Sequence, residues 1–129
     1  MDKKPVILII DDEQDIRDMV KIKLEADGFE VKEAKDGKEG LEAAKKIKPD
    51  LVLLDIVMPV MDGIDALLEM RKIDALKNTK IFLFTSKGNP GAAVQEEDQQ
   101  FVKENGAVGI IRKEVNLDEL VKKLQGALS

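Results

Sequence analysis

Carboxylates follow two apolar stretches of this 129-residue sequence, in positions that suit the binding of a metal ion. Asp11 and Asp12 follow "VILII", and Asp55 follows "LVLL". Thr85 and Lys113 follow two later apolar stretches and add a hydroxyl and an amine. Oxygen ligands favour a hard cation such as Mg²⁺ or Mn²⁺, which in proteins commonly binds phosphate oxygens as well. These residue types therefore predict a phosphoryl site with a divalent cation.

The composition restricts the available chemistry to oxygen and amine groups. The chain has no cysteine and no histidine, which excludes disulfides, thiolate nucleophiles and imidazole bases. A net charge of −5 and a pI near 4.9 argue against direct nucleic-acid binding, because phosphate contacts need clustered Lys and Arg. The apolar runs are far shorter than the roughly 20 residues of a membrane helix, and the N-terminus lacks a cleavage-type site. We expect a soluble, cytoplasmic protein without membrane insertion.

Five short apolar runs alternate with helical patterns, as in β-α-β units that build a parallel sheet. The second run, "FEVKEA", alternates apolar and polar residues, which is typical of a half-exposed edge strand. The predicted strands are Val6 to Ile10, Phe29 to Glu33, Leu51 to Leu54, Lys80 to Phe84 and Val108 to Ile111.

Five amphipathic helices are predicted between and after these strands. Helical spacing places apolar stripes on three of them: Ile16, Met19, Val20 and Leu24; Ile64, Leu67, Leu68 and the stem of Arg71; and Leu117, Leu120, Val121 and Leu124. The second helix, Lys38 to Lys48, has Asp36 as a possible N-cap. The fourth helix is predicted from Pro90 to about Glu104, with Asn89 as N-cap and Gly106 just beyond its end.

The order of these elements predicts a doubly wound α/β domain covering residues 1–129, with no output domain. In such sheets the functional site lies beyond the carboxyl ends of the strands, where the strand order reverses. If strands one and three are neighbours there, Asp11, Asp12 and Asp55 converge on one crevice. Asp55 is then the best nucleophile, because the other two acids keep the metal and the product is an aspartyl phosphate.

Four motifs resemble those of the receiver domain of bacterial-type response regulators, and single-domain chemotaxis-type receivers in particular. They are "ILIIDDE" (7–13), "PDLVLLDIVMPVMDG" (49–63), "FLFTS" (82–86) and "GAVGIIRK" (106–113). The resemblance covers nearly the whole chain. It implies a flavodoxin-like fold, a five-stranded parallel sheet in the order 2-1-3-4-5 with five helices. It also implies a phosphoacceptor switch in a two-component system or phosphorelay.

The same resemblance implies the roles of the site residues. Asp55 would be the phosphoacceptor, and Asp12 and Asp55 would bind Mg²⁺ directly. Asp11 would bind the ion through a water molecule, and the backbone carbonyl of Val57 would be a further ligand.

Two other positions would respond to phosphorylation. Thr85 and Lys113 would contact the phosphoryl group, and Thr85 together with position 110 would form the switch. A histidine kinase or phosphotransfer protein would supply the phosphoryl group. An output protein would bind the face made of the fourth helix, fifth strand and fifth helix.

The sequence departs from the family pattern in three places. Glu114 follows Lys113 where the family usually has a proline in a cis peptide, so we expect a trans bond and a shifted loop there. Ile110 stands where many members have an aromatic switch residue, so it must repack rather than swing. The segment between Thr85 and Lys113 is longer than usual, which makes partner choice the feature least transferable from the family.

Two residues near the site predict a long-lived phosphoryl group. Val57, two positions after Asp55, has an apolar side chain that cannot orient an attacking water molecule. Lys87, two positions after Thr85, could shield the phosphoryl group. Both features predict slow self-dephosphorylation.

Structural alternatives exist for several of these residues. Asp11 and Asp12 could cap the first helix, and Asp62 most simply caps the third. Thr85 could stand at a strand end for its β propensity. Lys113 could be a surface charge paired with Glu114.

Two alternative functions also fit the motifs. A pseudo-receiver would hold a partner without being phosphorylated. A metal-dependent phosphatase would turn over external substrates through an aspartyl intermediate, but the sequence has no second general acid near Asp55 and no cap domain to exclude water. We therefore expect a signalling switch that catalyses only its own phosphorylation and slow dephosphorylation.

Overall fold

The computed structural model of the chain describes residues 3–56, 58, 60–86, 100 and 103–129. Five parallel strands form one sheet in the order β2-β1-β3-β4-β5, which confirms the predicted flavodoxin-like topology. The strands are β1 (Val6–Ile10), β2 (Glu30–Ala34), β3 (Leu51–Asp55), β4 (Lys80–Thr85) and β5 (Gly109–Arg112).

The strand bounds differ from the predicted ones mainly at the carboxyl ends. Asp55 is the last residue of β3 and pairs with Phe84, and Thr85 is the last residue of β4 and pairs with Arg112. The apolar pattern placed both residues just after their strands, because their polar side chains interrupt it. Both residues nevertheless pair with the neighbouring strand, so the sheet fixes the positions of their Cα and Cβ atoms.

Four α-helices are found among the described residues, together with a short 3₁₀ helix at Asp74–Leu76. The helices are α1 (Gln14–Ala26), α2 (Gly37–Ile47), α3 (Gly63–Arg71) and α4 (Leu117–Leu128). Helix α4 corresponds to the last of the five predicted helices. The helix predicted from Pro90 to Glu104 lies mostly outside the described residues. Residues 103 and 104 are helical, and Gly106 has a φ of 96°, as the predicted helix end requires.

Side-chain caps begin three of these helices. Asp36 accepts a hydrogen bond from the Glu39 amide, and Asp62 accepts one from the Asp65 amide, which confirms both predicted N-caps. Asn116 begins α4 but accepts from the Asp118 amide, one residue earlier than a capping box would require.

Two apolar layers pack on the two faces of the sheet because side chains alternate along each strand. Helices α1 and α4 cover one face through residues such as Leu24 and Leu120. Helices α2 and α3 cover the other through residues such as Ala44 and Leu67. The prediction that Met19 belongs to the buried stripe of α1 is wrong: Met19 is 40% exposed, because the stripe that faces the sheet is narrower and centres on Val20 and Leu24.

No described helix is both long enough and apolar enough to cross a membrane.

Candidate metal centre

The sheet register brings three aspartates together at the carboxyl ends of β1 and β3. Ile10 pairs with Leu54, so Asp11 and Asp55 follow on neighbouring strands at the same level. Carboxylate oxygens of Asp11, Asp12 and Asp55 lie within 4.8 Å of one another. The predicted convergence of these three residues is therefore present in the structure.

Burial makes two of these carboxylates electrostatically unusual. Asp11 and Asp55 are buried, whereas Asp12 is exposed. Desolvation and the nearby charge of Asp11 raise the pKa of Asp55 to about 7, although Lys113 opposes the shift. Desolvation also raises the pKa of Asp11, again against Lys113. The positive charge of Lys113 therefore does not fully offset the burial of the two carboxylates, and a divalent cation would supply the remainder.

Lys113 supplies the ammonium group nearest to this cluster. Its Nζ lies 2.8 Å from Asp11 Oδ2, 3.2 Å from Glu13 Oε1 and 3.4 Å from Asp55 Oδ2. Burial lowers the pKa of Lys113, but these carboxylates outweigh that effect and the net shift is upward. The side chain is only 7% exposed, so the interpretation of Lys113 as a surface charge is wrong.

Two buried oxygens in this region have unused hydrogen-bonding capacity. Thr85 Oγ1 is buried and has no hydrogen-bond partner among the described residues. Asp11 Oδ2 also receives no hydrogen bond of ordinary geometry within that part of the chain, although Lys113 Nζ is close to it. Buried polar atoms are usually satisfied, so these two indicate a site built to receive a further group.

The turn between β1 and α1 holds the first two aspartates without using them as helix caps. The N-cap residue of α1 is Glu13, which forms no side-chain cap, and Asp11 Oδ1 instead accepts the Glu13 amide at 2.9 Å. Asp12 forms no cap either, so the capping interpretation of the two aspartates is wrong. Their side chains remain available to a ligand.

Sequence reasoning missed two residues that shape this turn. Arg17 Nη1 donates to the backbone carbonyl of Asp11 at 2.5 Å, while its Nε pairs with Glu33 at 3.2 Å. Glu13 contacts Lys113 through its side chain. Glu13 could have been suspected as a third acid after the aspartate pair. No sequence signal identified Arg17, because its partner on β2 lies far along the chain.

Close packing of α3 against β3 fixes the position of Asp55. A Cβ atom on Gly63 would lie 2.2 Å from the backbone oxygen of Asp55 and 2.8 Å from Ile56 Cα. The Gly63 amide also donates to the Ile56 carbonyl at 2.7 Å. Only glycine allows this approach, so the residue at position 63 helps to set the geometry of the phosphoacceptor candidate.

Of the remaining predicted features, two lie within the described residues and two lie outside them. Ile110 is partly buried and packs against the apolar layer on the α2–α3 face. The Lys113–Glu114 bond is trans, as predicted, and the described residues contain no cis peptide. Val57 and Lys87 lie outside the described residues.

The donor set fits a hard divalent cation. Asp11, Asp12 and Asp55 offer only oxygen atoms, and Mg²⁺ typically takes one or two carboxylates together with water and phosphate oxygens. A cation at this point would neutralise the two carboxylates whose pKa values are raised.

Comparisons with known proteins agree with this geometry. The family model described as "Response regulator receiver domain" matches residues 7–125. The chemotaxis protein CheY of Thermotoga maritima is 41% identical over 69% of this chain and 73% of its own length. A structure of CheY4 from Vibrio cholerae has a TM-score of 0.87 at 33% identity, covering 98% of this chain and 100% of that one.

Other relatives are longer proteins. The DNA-binding dual master transcriptional regulator RpaA of Synechocystis is 32% identical over 96% of this chain, which spans 49% of RpaA. The chain likewise spans only 25% of the regulatory protein AtoC of Escherichia coli. The similarity to such proteins therefore concerns a receiver-sized portion of each.

Proposed function

Because the chain belongs to the response regulator receiver domain family, we propose that it is a phosphoacceptor switch whose Asp55 receives the phosphoryl group. The donor is a phosphohistidine of a histidine kinase or phosphotransfer protein. The observation that carries this proposal is the cluster of Asp11, Asp12 and Asp55 within 4.8 Å, with Lys113 Nζ 3.4 Å from Asp55.

The transfer itself requires positioning and charge stabilisation rather than an acid–base pair. A carboxylate oxygen of Asp55 forms a bond to phosphorus while the bond between phosphorus and the donor's imidazole nitrogen breaks. The electron pair of that bond leaves with the imidazole. Asp12 and Asp55 would hold Mg²⁺ directly, Asp11 would hold it through a water molecule, and the backbone carbonyl of Val57 would be a further ligand. The ion would supply positive charge for the phosphoryl oxygens.

Residues around Asp55 respond to the new anion. Lys113 exchanges part of its contact with Asp11 and Glu13 for a phosphoryl oxygen. The unpartnered hydroxyl of Thr85 donates to another. Movement of Thr85 changes the packing of Ile110, and the face built on β5, α4 and the predicted fourth helix then favours its signalling conformation.

The partner of this switch is a protein rather than DNA. The chain matches 73% of the length of the chemotaxis protein CheY of Thermotoga maritima, which supports a receiver that acts as a module of that size. The negative net charge of the chain also disfavours direct DNA binding. The signal is therefore transmitted through an output protein bound at the switch face.

Labelling with acetyl phosphate tests the proposal. The parent chain gains one phosphoryl group in the presence of Mg²⁺, detected by intact mass, and gains none after removal of the ion with EDTA. Asp55→Ala abolishes labelling. Asp18→Ala, which removes an exposed carboxylate on α1, serves as the matched control and keeps the parent level.

A beryllofluoride complex separates the switch from the pseudo-receiver alternative. Mg²⁺-dependent binding of this acyl-phosphate mimic to the parent, and its loss in Asp55→Ala, supports phosphorylation at Asp55. Failure of both acetyl phosphate and beryllofluoride to react would favour the pseudo-receiver. Multiple turnover of a small phosphomonoester would instead favour the phosphatase.

A further inference from the structure

A basic cleft lies at the amino ends of β4 and β5, at the opposite end of the sheet from Asp55. It is an open depression of about 550 Å³. Of the described residues that line it, four are cationic and none is a carboxylate. They are Arg71 at the end of α3, Lys77 after the 3₁₀ helix, Lys80 at the start of β4, and Lys103. This concentration of positive charge is unexpected in a chain whose net charge is −5.

The cations of the basic cleft are not neutralised within the described part of the chain. Lys77, Lys80 and Lys103 have no ion pair with any described carboxylate. Some exposed lysines elsewhere are paired, such as Lys72 with Glu69 and Lys122 with Glu119, so what distinguishes the cleft is that its unpaired cations lie together. The basic cleft therefore has positive charge available for an external ligand.

Arg71 is held in place but keeps its charge. Its guanidinium donates to three backbone carbonyls, those of Gly106 at 2.9 Å, Leu76 at 2.9 Å and Thr79 at 2.7 Å. Carbonyl groups orient a guanidinium without cancelling its charge. Arg71 thus provides a positive charge that three carbonyls hold in position, and the three exposed lysines provide further charges along the cleft.

The shape of the basic cleft favours a peptide segment over a small molecule. Small-molecule sites enclose most of their ligand, whereas this cleft is open to solvent. The exposed apolar side chain of Val108 lies on its wall, just before β5, the edge strand of the sheet. An extended acidic segment can place carboxylates against the lysines and an apolar residue against Val108.

We propose that the basic cleft is a docking surface for an acidic segment of a partner protein. Charge complementarity provides the selectivity, since an acidic partner segment meets four cations in the part of the cleft that the structure describes. The surface lies at the opposite end of the sheet from Asp55 and includes no residue of the phosphoryl site, and we expect docking to occur without phosphorylation. The proposal thereby goes beyond the proposed function and does not depend on it.

Fluorescence anisotropy with a fluorescein-labelled octaglutamate peptide tests this docking surface. At low ionic strength the full-length parent chain binds the peptide saturably, and added salt weakens binding because the charges are exposed. The triple variant Lys77→Gln/Lys80→Gln/Lys103→Gln raises Kd about tenfold, as three exposed charge pairs would predict. Asp55→Ala leaves Kd unchanged, which separates this result from any failure of the proposed function.

A second triple variant controls for net charge. Lys32→Gln/Lys72→Gln/Lys122→Gln removes the same charge at lysines outside the cleft that already pair with neighbouring acids. Its Kd stays near that of the parent if the cleft is the binding surface. Equal weakening in both triple variants, or no saturable binding by the parent, would overturn the proposal. Competition by pyrophosphate at concentrations well below those of octaglutamate would assign the cleft to a small anion instead.

Discussion

At the scale of single residues, the site buries two carboxylates at a cost in folding stability. Asp55 and Asp11 are carboxylates in positions where a neutral side chain would be more stable without a cation. Lys113 offsets only part of this, since the pKa values of both acids remain raised. The unphosphorylated, metal-free chain is therefore held in a state that a cation and a phosphoryl group would both stabilise.

Replacing Asp55 with Asn should stabilise the metal-free chain. The pKa of Asp55 rises from 3.8 to about 7 on folding, so the folded state binds its proton more tightly than the unfolded state. The free energy of unfolding consequently falls as pH rises between these values. Asp55→Asn has no titrating carboxyl group at this position, so its free energy of unfolding does not fall in this way. Urea unfolding should give a gain of about 1–3 kcal/mol at pH 8, and a smaller gain at pH 5.

The exposed aspartate of the same cluster provides the control for this experiment. Asp12→Asn, measured in parallel without divalent ions, should change the free energy of unfolding much less, because its carboxylate remains in water. An equal gain from both variants would attribute the effect to the net charge of the cluster rather than to burial of Asp55.

Replacing Val57 with Asn should shorten the lifetime of the phosphoryl group. An amide two positions after the phosphoacceptor can orient an attacking water molecule, whereas the isopropyl group of Val57 cannot. Loss of label from the acetyl-phosphate-treated chain should be several times faster in Val57→Asn than in the parent, and Val57→Leu should match the parent. This lifetime prediction fails if the Asn variant loses phosphate no faster. The contribution of Lys87 is measured in the same way with Lys87→Ala.

At the scale of elements, the loop between β3 and α3 determines the position of Asp55. Gly63 allows the first turn of α3 to contact the backbone of Asp55 and Ile56. Val60 in the same loop has a φ of 72°, which is unfavourable for a β-branched residue, and its side chain is 82% exposed. The loop therefore combines an obligatory glycine with a strained residue that gains little from packing.

Introducing a methyl group at Gly63 should disrupt this packing. The new Cβ of Gly63→Ala would meet backbone atoms that cannot move independently, so we expect a loss of at least about 2 kcal/mol in the free energy of unfolding. Gly126→Ala is the matched control inside α4, where no atom lies within 4 Å of the new Cβ. That variant should gain about 0.5–1 kcal/mol from helix propensity. Similar effects of the two substitutions would contradict the close approach at Gly63.

Replacing Val60, whose φ is 72°, with glycine should raise the free energy of unfolding. Val60→Gly removes the unfavourable contact of Cβ in the left-handed region and loses almost no buried surface. Thermal or urea unfolding should show a gain of about 1 kcal/mol. Val60→Ala, which keeps a Cβ but lacks branching, should fall between the two, and a destabilised glycine variant would argue against the positive φ.

At the scale of the whole molecule, the residues proposed to form the switch lie on both faces of the sheet. Strand alternation places Asp55 and Lys113 on the side covered by α1 and α4, where Leu53 and Ile111 pack. Thr85 and Ile110 belong to the side covered by α2 and α3, where Leu83 packs. Under the proposed function, Thr85 at the end of a central strand would connect phosphorylation on one side to the packing on the other.

Binding of Mg²⁺ should stabilise the whole chain in a pH-dependent way. Carboxylates must lose their protons to bind a metal ion, and Asp55 has a pKa of about 7. Isothermal titration should therefore show Mg²⁺ binding about tenfold weaker at pH 6 than at pH 8. The melting temperature should rise with Mg²⁺ at pH 8. Equal affinities at the two pH values would contradict the raised pKa, and Asp55→Asn should weaken binding at both.

The sequence determined the class of fold and most of the chemistry. Short aliphatic runs alternating with helical stripes require a parallel sheet covered on both faces, and the alternating "FEVKEA" identifies its edge strand. Residue type alone also indicated Asp11, Asp12 and Asp55 as cation ligands, because acids that follow buried strands must face a common edge. These are local signals, and they depend on spacing that the chain carries in itself.

Only the tertiary structure decided what surrounds those acids. The contacts of Lys113 with Asp11 and Glu13, and of Arg17 with Asp11 and Glu33, join residues far apart in sequence or on different elements. Burial of Asp55 likewise depends on how α3 approaches β3 through Gly63. Such properties arise from the packing of distant segments, and pKa values follow from that packing. The pattern of residues along the chain can therefore indicate the candidate phosphoacceptor, but the charge state of its carboxyl group depends on the packing around it.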